Sequence, residues 1–127
     1  MSWNLIILPP DDAGDDADLG DASEVRSRLS RVLTPIDWSE PSTGLFFGPG
    51  YRVEIGLQER GTVESFMLHV TGDGDPLPLV VRLARSNGWA VFDSVAGDYL
   101  DLDHPSDAGW KGYHAHVAGK VVPPDEA

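Results

Sequence analysis

Residues 44–58 read GLFFGPGYRVEIGLQ. Tyr51, Val53, Ile55 and Leu57 alternate with Arg52, Glu54, Gly56 and Gln58. A period of two sends successive side chains to opposite faces, so the stretch predicts a strand in a sheet with one buried and one wet face. Gly48-Pro49-Gly50 breaks the run into a hairpin. After a turn at 59–62, Phe66, Leu68 and Val70 take one side while Ser65, Met67, His69 and Thr71 take the other, predicting a third meander strand whose wet face is only partly polar.

Working outward, Trp3–Leu8 (WNLIIL) is almost continuously apolar and stops at Pro9-Pro10, the pattern of a short central strand covered on both faces. Asp21 stands three residues before Glu24 in a capping-box spacing, and Val25, Leu29, Val32 and Leu33 recur at helical intervals until Thr34-Pro35. The opposite face carries Arg26, Arg28 and Arg31, placed to lie near the acidic segment before the helix. A second helix follows the turn GDGDP at 72–76, with Asp75 as its cap, Pro76 at its first position, Gly88 as its left-handed stop and Leu79, Val80, Leu83 and Ala84 as its buried stripe. WAVFD at 89–93, SVAGD and YLDLD at 99–103 then read as a hairpin, with Gly97 in its loop. A last helix spans about 106–117, weakened by Gly109 and Gly112, and the tail 119–127 is expected to fray.

The resulting order is β-α-β-β-β-α-β-β-(α). It predicts a single-domain α+β sandwich over residues 1–127, with the helices on one face of a mostly antiparallel sheet. The helix between the third meander strand and WAVF acts as a crossover, which would make part of the sheet parallel.

At 127 residues the chain can bury a core without staples, and with no cysteine it has no disulfide, thiolate metal site or cysteine nucleophile. Neither a membrane-length apolar run nor a signal-peptide pattern is visible, so a cytoplasmic location is the expectation. The formal net charge is −12, which repels phosphate backbones and anionic membranes and speeds encounter with a basic protein. Seven of the nine basic residues are Arg, and Ala, Gly, Asp and Val are plentiful, a composition associated with GC-rich bacterial genomes.

Part of the charge is concentrated in the acidic loop 9–22, where DDAGDDADLGD holds six aspartates. A calcium EF-loop needs oxygen ligands at positions 1, 3 and 5, Gly at 6 and Glu at 12. With Gly20 at position 6, positions 3, 5 and 12 are Ala17, Leu19 and Arg26, and the frame fails. The simpler reading is a solvated connector whose last aspartates favour a helix N-terminus.

A second cluster, YLDLDHPSDAGW, holds Tyr99, Asp101, Asp103, His104 and Asp107. On a strand, Asp101 and Asp103 share a face. With His104 they could hold a divalent metal or move protons, and on a sheet edge they equally serve to block pairing between sheets. His114 and His116 share a face only if their segment is a strand, and His69 stands alone on a strand face. The nucleophile elbow, the phosphate loop and the dinucleotide glycine fingerprint are all absent from the sequence. Among the four tryptophans, Trp3 and Trp89 begin strands and are expected at the sheet margin. Trp38, in IDWSEPS, and Trp110 are better placed for exposure, where a tryptophan among carboxylates anchors a protein interface; the plainer alternative is that they cap the core at its ends.

Asn87, Gly88 and Trp89, then Phe92 and Asp93, then Gly97, Asp98, Tyr99 and Asp101 form a pattern, with the opening MSWNLIILPP, that resembles small acidic bacterial α+β proteins. Some similar small acidic proteins are antidotes to toxins in bacterial competition systems. The resemblance covers residues 83–110 and the first ten, and it implies no catalytic residue.

The function these observations predict is an acidic protein-binding module with a basic partner, of the immunity-inhibitor kind, using Trp38, Tyr99, Asp101, Asp103, Asp107 and Trp110 and no cofactor. The alternatives are a metal-binding or enzymatic domain built on Asp101, Asp103 and His104, and a subunit whose apolar face receives a copy of itself.

Overall fold

The computed structural model describes residues 3–10, 17–105 and 109–111. Its first strand, β1 (Trp3–Leu8), is central as expected, pairing with one strand on each side. Only one of its faces is closed, however: Trp3, Leu5 and Ile7 are buried, whereas Asn4, Ile6 and Leu8 are partly exposed. The continuous apolar run therefore reports a central position and not two covered faces.

The chain continues through β2 (Gly20–Asp21), α1 (Ala22–Val32), β3 (Asp37–Glu40), β4 (Thr43–Gly48), β5 (Tyr51–Gly56), β6 (Thr62–Val63), β7 (Phe66–Gly72), α2 (Leu77–Asn87), β8 (Ala90–Asp93) and β9 (Asp98–Tyr99), and residues 109–111 form a helical turn. The main sheet has the order β3-β4-β5-β7-β1-β8-β9, and β2 pairs with β6 in a small second sheet. This is the α+β sandwich expected.

Every strand pair is antiparallel among the described residues. The helix α2 does connect two strands that run the same way, β7 and β8, but β1 lies between them and pairs antiparallel with each. The expected parallel pairing is thus replaced by a split crossover, since the slot it would need is filled by the N-terminal strand.

Register explains which face is dry. Leu5 lies opposite Leu68, which lies opposite Ile55; Trp3, Val70 and Val53 make the next row, ending at Phe46. These side chains face the helices and join Val25 and Leu29 of α1, Leu33 just beyond it, and Val80, Leu83 and Ala84 of α2 in one buried cluster. At about 25 cal/mol per Å² of apolar surface removed from water, this layer is the main stabilising term.

The helix ends follow local chemistry. Asp21 caps α1, its carboxylate accepting from the Ser23 amide at 3.1 Å. The capping box is not reciprocated, because Glu24 turns along the helix to Arg28 at 2.9 Å. Pro76, and not Asp75, is the cap residue of α2, so that helix starts one position later than its sequence suggested, with the Asp75 carboxylate 3.4 Å from the Leu77 amide. Gly88 ends it with φ +68°, the left-handed conformation only glycine adopts without penalty.

The last part of the acidic loop is not a free connector. Leu19 is buried, its amide donates to the Val63 carbonyl at 2.8 Å, and Gly20–Asp21 pair with β6. Residues 11–16, most of the proposed last helix and the tail 119–127 lie outside the described residues.

Candidate functional site

Tyr99 and the aspartates around it sit at the β9 end of the sheet. β8 and β9 pair through Phe92 with Tyr99 and Asp93 with Asp98, and Leu100 still bonds across to the Val91 carbonyl at 2.8 Å. The strand then stops. Asp101 Oδ1 accepts from the Asp103 amide at 2.9 Å and the His104 amide at 3.2 Å, which curls the chain into a turn. The expected strand over 99–103 is therefore shorter, because a side chain that can bond its own backbone two and three residues on competes with the ladder.

The inside-outside alternation survives on another support. Leu100 is buried, Leu102 packs against the core, and Asp101 and Asp103 point to solvent. Arg85 of α2 holds the segment in place, donating to the Leu102 carbonyl at 2.8 Å and to the Asp103 carboxylate at 2.9 Å. Asp101 and Asp103 are thus already engaged, one with backbone amides and the other with a guanidinium. Those two amides hold the Asp101 carboxyl below the ordinary carboxylate range, with a smaller contribution from His104. Among the described residues, no three histidines or acids gather at a spacing that would hold a metal ion. His114, His116 and Asp107 lie outside the described residues.

Behind Tyr99 lies a cleft of about 280 Å³, lined by Asp93, Asp98, Tyr99, Asp101 and Gly109 among others. Asp93 is the one buried acid among the described residues, 2 % exposed. Its Oδ1 accepts from the amides of Val95 and Ala96, both at 3.0 Å, so it shapes the hairpin turn. The backbone of Gly109 lies directly against this carboxylate, in a space a methyl group would fill. Sequence alone read Asp93 only as part of a hairpin pattern, since its partner Gly109 is distant in the chain.

Of the two readings of Trp38 and Trp110, interface anchor or cap on the core, their surroundings match the second: both pack against the core. Trp110 is 5 % exposed, stacks at a tilt on Trp3 with ring centroids 5.6 Å apart, and donates its indole N–H to the Gly74 carbonyl at 3.1 Å. The glycine beside it lets the helical turn approach the sheet closely, which turns a residue placed for exposure into core. Trp38 belongs to β3, a strand the sequence reading missed. Its ring lies over Gly44, where an added Cβ would come within 2.9 Å, and the Arg26 guanidinium stacks above it at 5.2 Å. Arg26 also donates to the carbonyls of Glu59, Pro41 and Gln58 at 2.8, 2.8 and 3.1 Å, tying α1 to the meander turns. Trp3 and Trp89 are likewise core, Trp89 meeting Phe66 edge-on at 5.4 Å.

Of the six residues proposed for partner contact, Tyr99, Asp101 and Asp103 remain at the surface, with Tyr99 47 % exposed. His69 is partly buried and bonds Asn4 Oδ1 at 2.7 Å. No protein-family model, curated protein or solved structure matches the chain. No helix among the described residues is long and apolar enough to cross a membrane.

Proposed function

We propose that the protein is an acidic binding module that docks a basic partner protein through the β8–β9 end, in the manner of an immunity-type inhibitor occupying a cationic groove. The supporting observation is a half-exposed tyrosine between outward carboxylates: Tyr99 with Asp98 on one side and Asp101 and Asp103 on the other, beside a carboxylate-lined cleft. Tyrosine supplies rigid, amphipathic contact area at the centre of such a patch. The surrounding acids and the net charge of −12 steer a cationic protein toward it. A groove built for phosphates offers the matching surface, and the acid side chains would stand where phosphate oxygens otherwise lie.

The test is capture from the native cell at low salt, followed by binding measurements on the purified partner. The expected partner is basic, its affinity falls as salt rises, and Tyr99→Ala with Asp98→Asn weakens it by at least tenfold. Recovery of no basic protein, or equal binding by the double variant, would defeat the reading.

A further inference from the structure

Helix α2 carries cations and no acid. Its sequence, LPLVVRLARSN, includes Arg82 and Arg85 and neither Asp nor Glu, in a chain where 21 acidic residues stand against 9 basic ones. One flank of the helix forms a groove of about 510 Å³, floored by Leu77, Pro78, Val81 and Pro105 and edged by Arg82 and Arg85, with no acid in its lining. Leu77 and Val81 are only partly buried, and Pro78 and Pro105 are exposed. The two arginines differ. Arg85 is held by the Leu102 carbonyl and the Asp103 carboxylate, whereas Arg82 is exposed and has no hydrogen bond or ion pair among the described residues.

We infer that this groove receives the chain's own segment 121–126, with Val121 and Val122 on Leu77 and Val81, and Asp125 and Glu126 at Arg82. The chemistry of the segment matches the groove in order: VVPPDE runs from apolar residues through two prolines to two acids, as the groove runs along α2 from apolar floor to cationic rim. Proline fixes its own φ and pushes the residue before it toward extended backbone, so the segment favours the polyproline conformation that apolar grooves receive at low ordering cost. Six residues at about 3.1 Å each cover about 19 Å, close to the length of about 16 Å that eleven helical residues span.

Reach and charge agree with this placement. Trp110 donates to the Gly74 carbonyl at 3.1 Å, so the last described residues stand beside the N-terminal end of α2, where the apolar part of the groove begins. The ten residues from Lys111 to Val121 reach at most about 35 Å, twice the length of the helix, so no second molecule is needed to fill the groove. The open face of the sheet is another apolar surface, but it presents Asp37, Glu40 and Glu54 against Arg52, and the β8–β9 end presents Asp98, Asp101 and Asp103. Asp125 and Glu126 are repelled at both places and attracted at α2. Lys120, just before the segment, then falls toward Asp75, just before the helix.

Nuclear Overhauser contacts in the isotopically labelled full chain test the inference. They should join the Val121 and Val122 methyls to those of Leu77 and Val81. Arg82→Glu should weaken these contacts about fivefold with an unchanged circular dichroism spectrum, and so should Asp125→Lys with Glu126→Lys, while the three substitutions together restore them. Val121→Ser with Val122→Ser should weaken them about tenfold. Contacts that are absent from the wild-type chain, that keep full strength in Arg82→Glu, that fail to return in the triple variant, or that run to Ile6 and Met67 instead would overturn the inference. So would contacts found only between labelled and unlabelled chains in a mixed sample, because the occupant would then be the segment of a second copy.

Discussion

Leu68 and Met67 are neighbours on β7, and they occupy opposite sides of the sheet. Leu68 is 1 % exposed between Leu5 and Ile55 beneath the helices, while Met67 lies beside Ile6 on the face that no described residue covers. Both positions are apolar in sequence, so the difference is made by what packs on them. On one side, α1, α2 and the turn carrying Trp110 exclude water; on the other, the same strands offer apolar carbon with nothing above it among the described residues. Burial is thus divided across a single sheet by the side on which its helices lie.

The widest separation between the two faces should appear when each is truncated in turn. Leu68→Ala leaves a cavity under close-packed helices and is expected to cost about 2–5 kcal/mol. Met67→Ala should stay within about 0.5 kcal/mol of wild type. Urea titration followed by circular dichroism measures both. A comparable loss at the two positions would show that the open face is covered in solution by part of the same chain.

A smaller effect is expected where the covered side is closed by the last described turn. Gly109 lies against the Asp93 carboxylate, and Trp110 next to it stacks on Trp3. Gly109→Ala forces a methyl into that contact, an overpacking expected to cost about 1–3 kcal/mol. Tryptophan emission should shift to the red as Trp110 loses its shelter. Unchanged stability and emission together would mean that this turn does not seal the core.

What could be read from sequence follows the range of the interactions involved. Alternation in β5 and β7, the stop at Gly88 and the cap at Asp21 depend on neighbours within a few residues, and each was legible. The place of β1 between β7 and β8, the packing of Trp38 on Gly44 beneath Arg26, and the meeting of Gly109 with Asp93 join distant parts of the chain, and single-sequence periodicity carries no trace of them. The β3 strand was missed because Asp37, Ser39 and Glu40 give it the composition of a loop, which also keeps an edge strand from pairing with other chains. At the candidate site the acid cluster was visible, but its geometry was not. Whether Asp101 continues a strand or caps a turn depends on Leu100 and Leu102 finding apolar neighbours and on Arg85 reaching over from α2.

Acid is the mildest probe of the contrast and divides it by charge. Asp21, Asp37 and Asp101 all sit below the ordinary carboxylate value of 3.8, because each accepts hydrogen bonds: from the Ser23 hydroxyl and amide, from the Ser39 hydroxyl and amide, and from the amides of Asp103 and His104. A carboxyl whose folded value is depressed contributes stability that is complete above its unfolded value and is lost as pH falls through the folded one. Their contribution is therefore intact at pH 5 and declines below about pH 3.8. The apolar row of Ile6, Met67 and Phe92 has no group that titrates in this range. Between pH 7 and 5 these three carboxyls stay ionised in both states, so unfolding stability owed to them should hold steady. Below that window stability should fall. Asp21→Asn, which keeps a capping acceptor without a titrating proton, should match wild type near neutrality and show a shallower acid limb in thermal melts. An acid limb as steep in Asp21→Asn as in wild type would remove the cap of α1 from the groups that acid acts on.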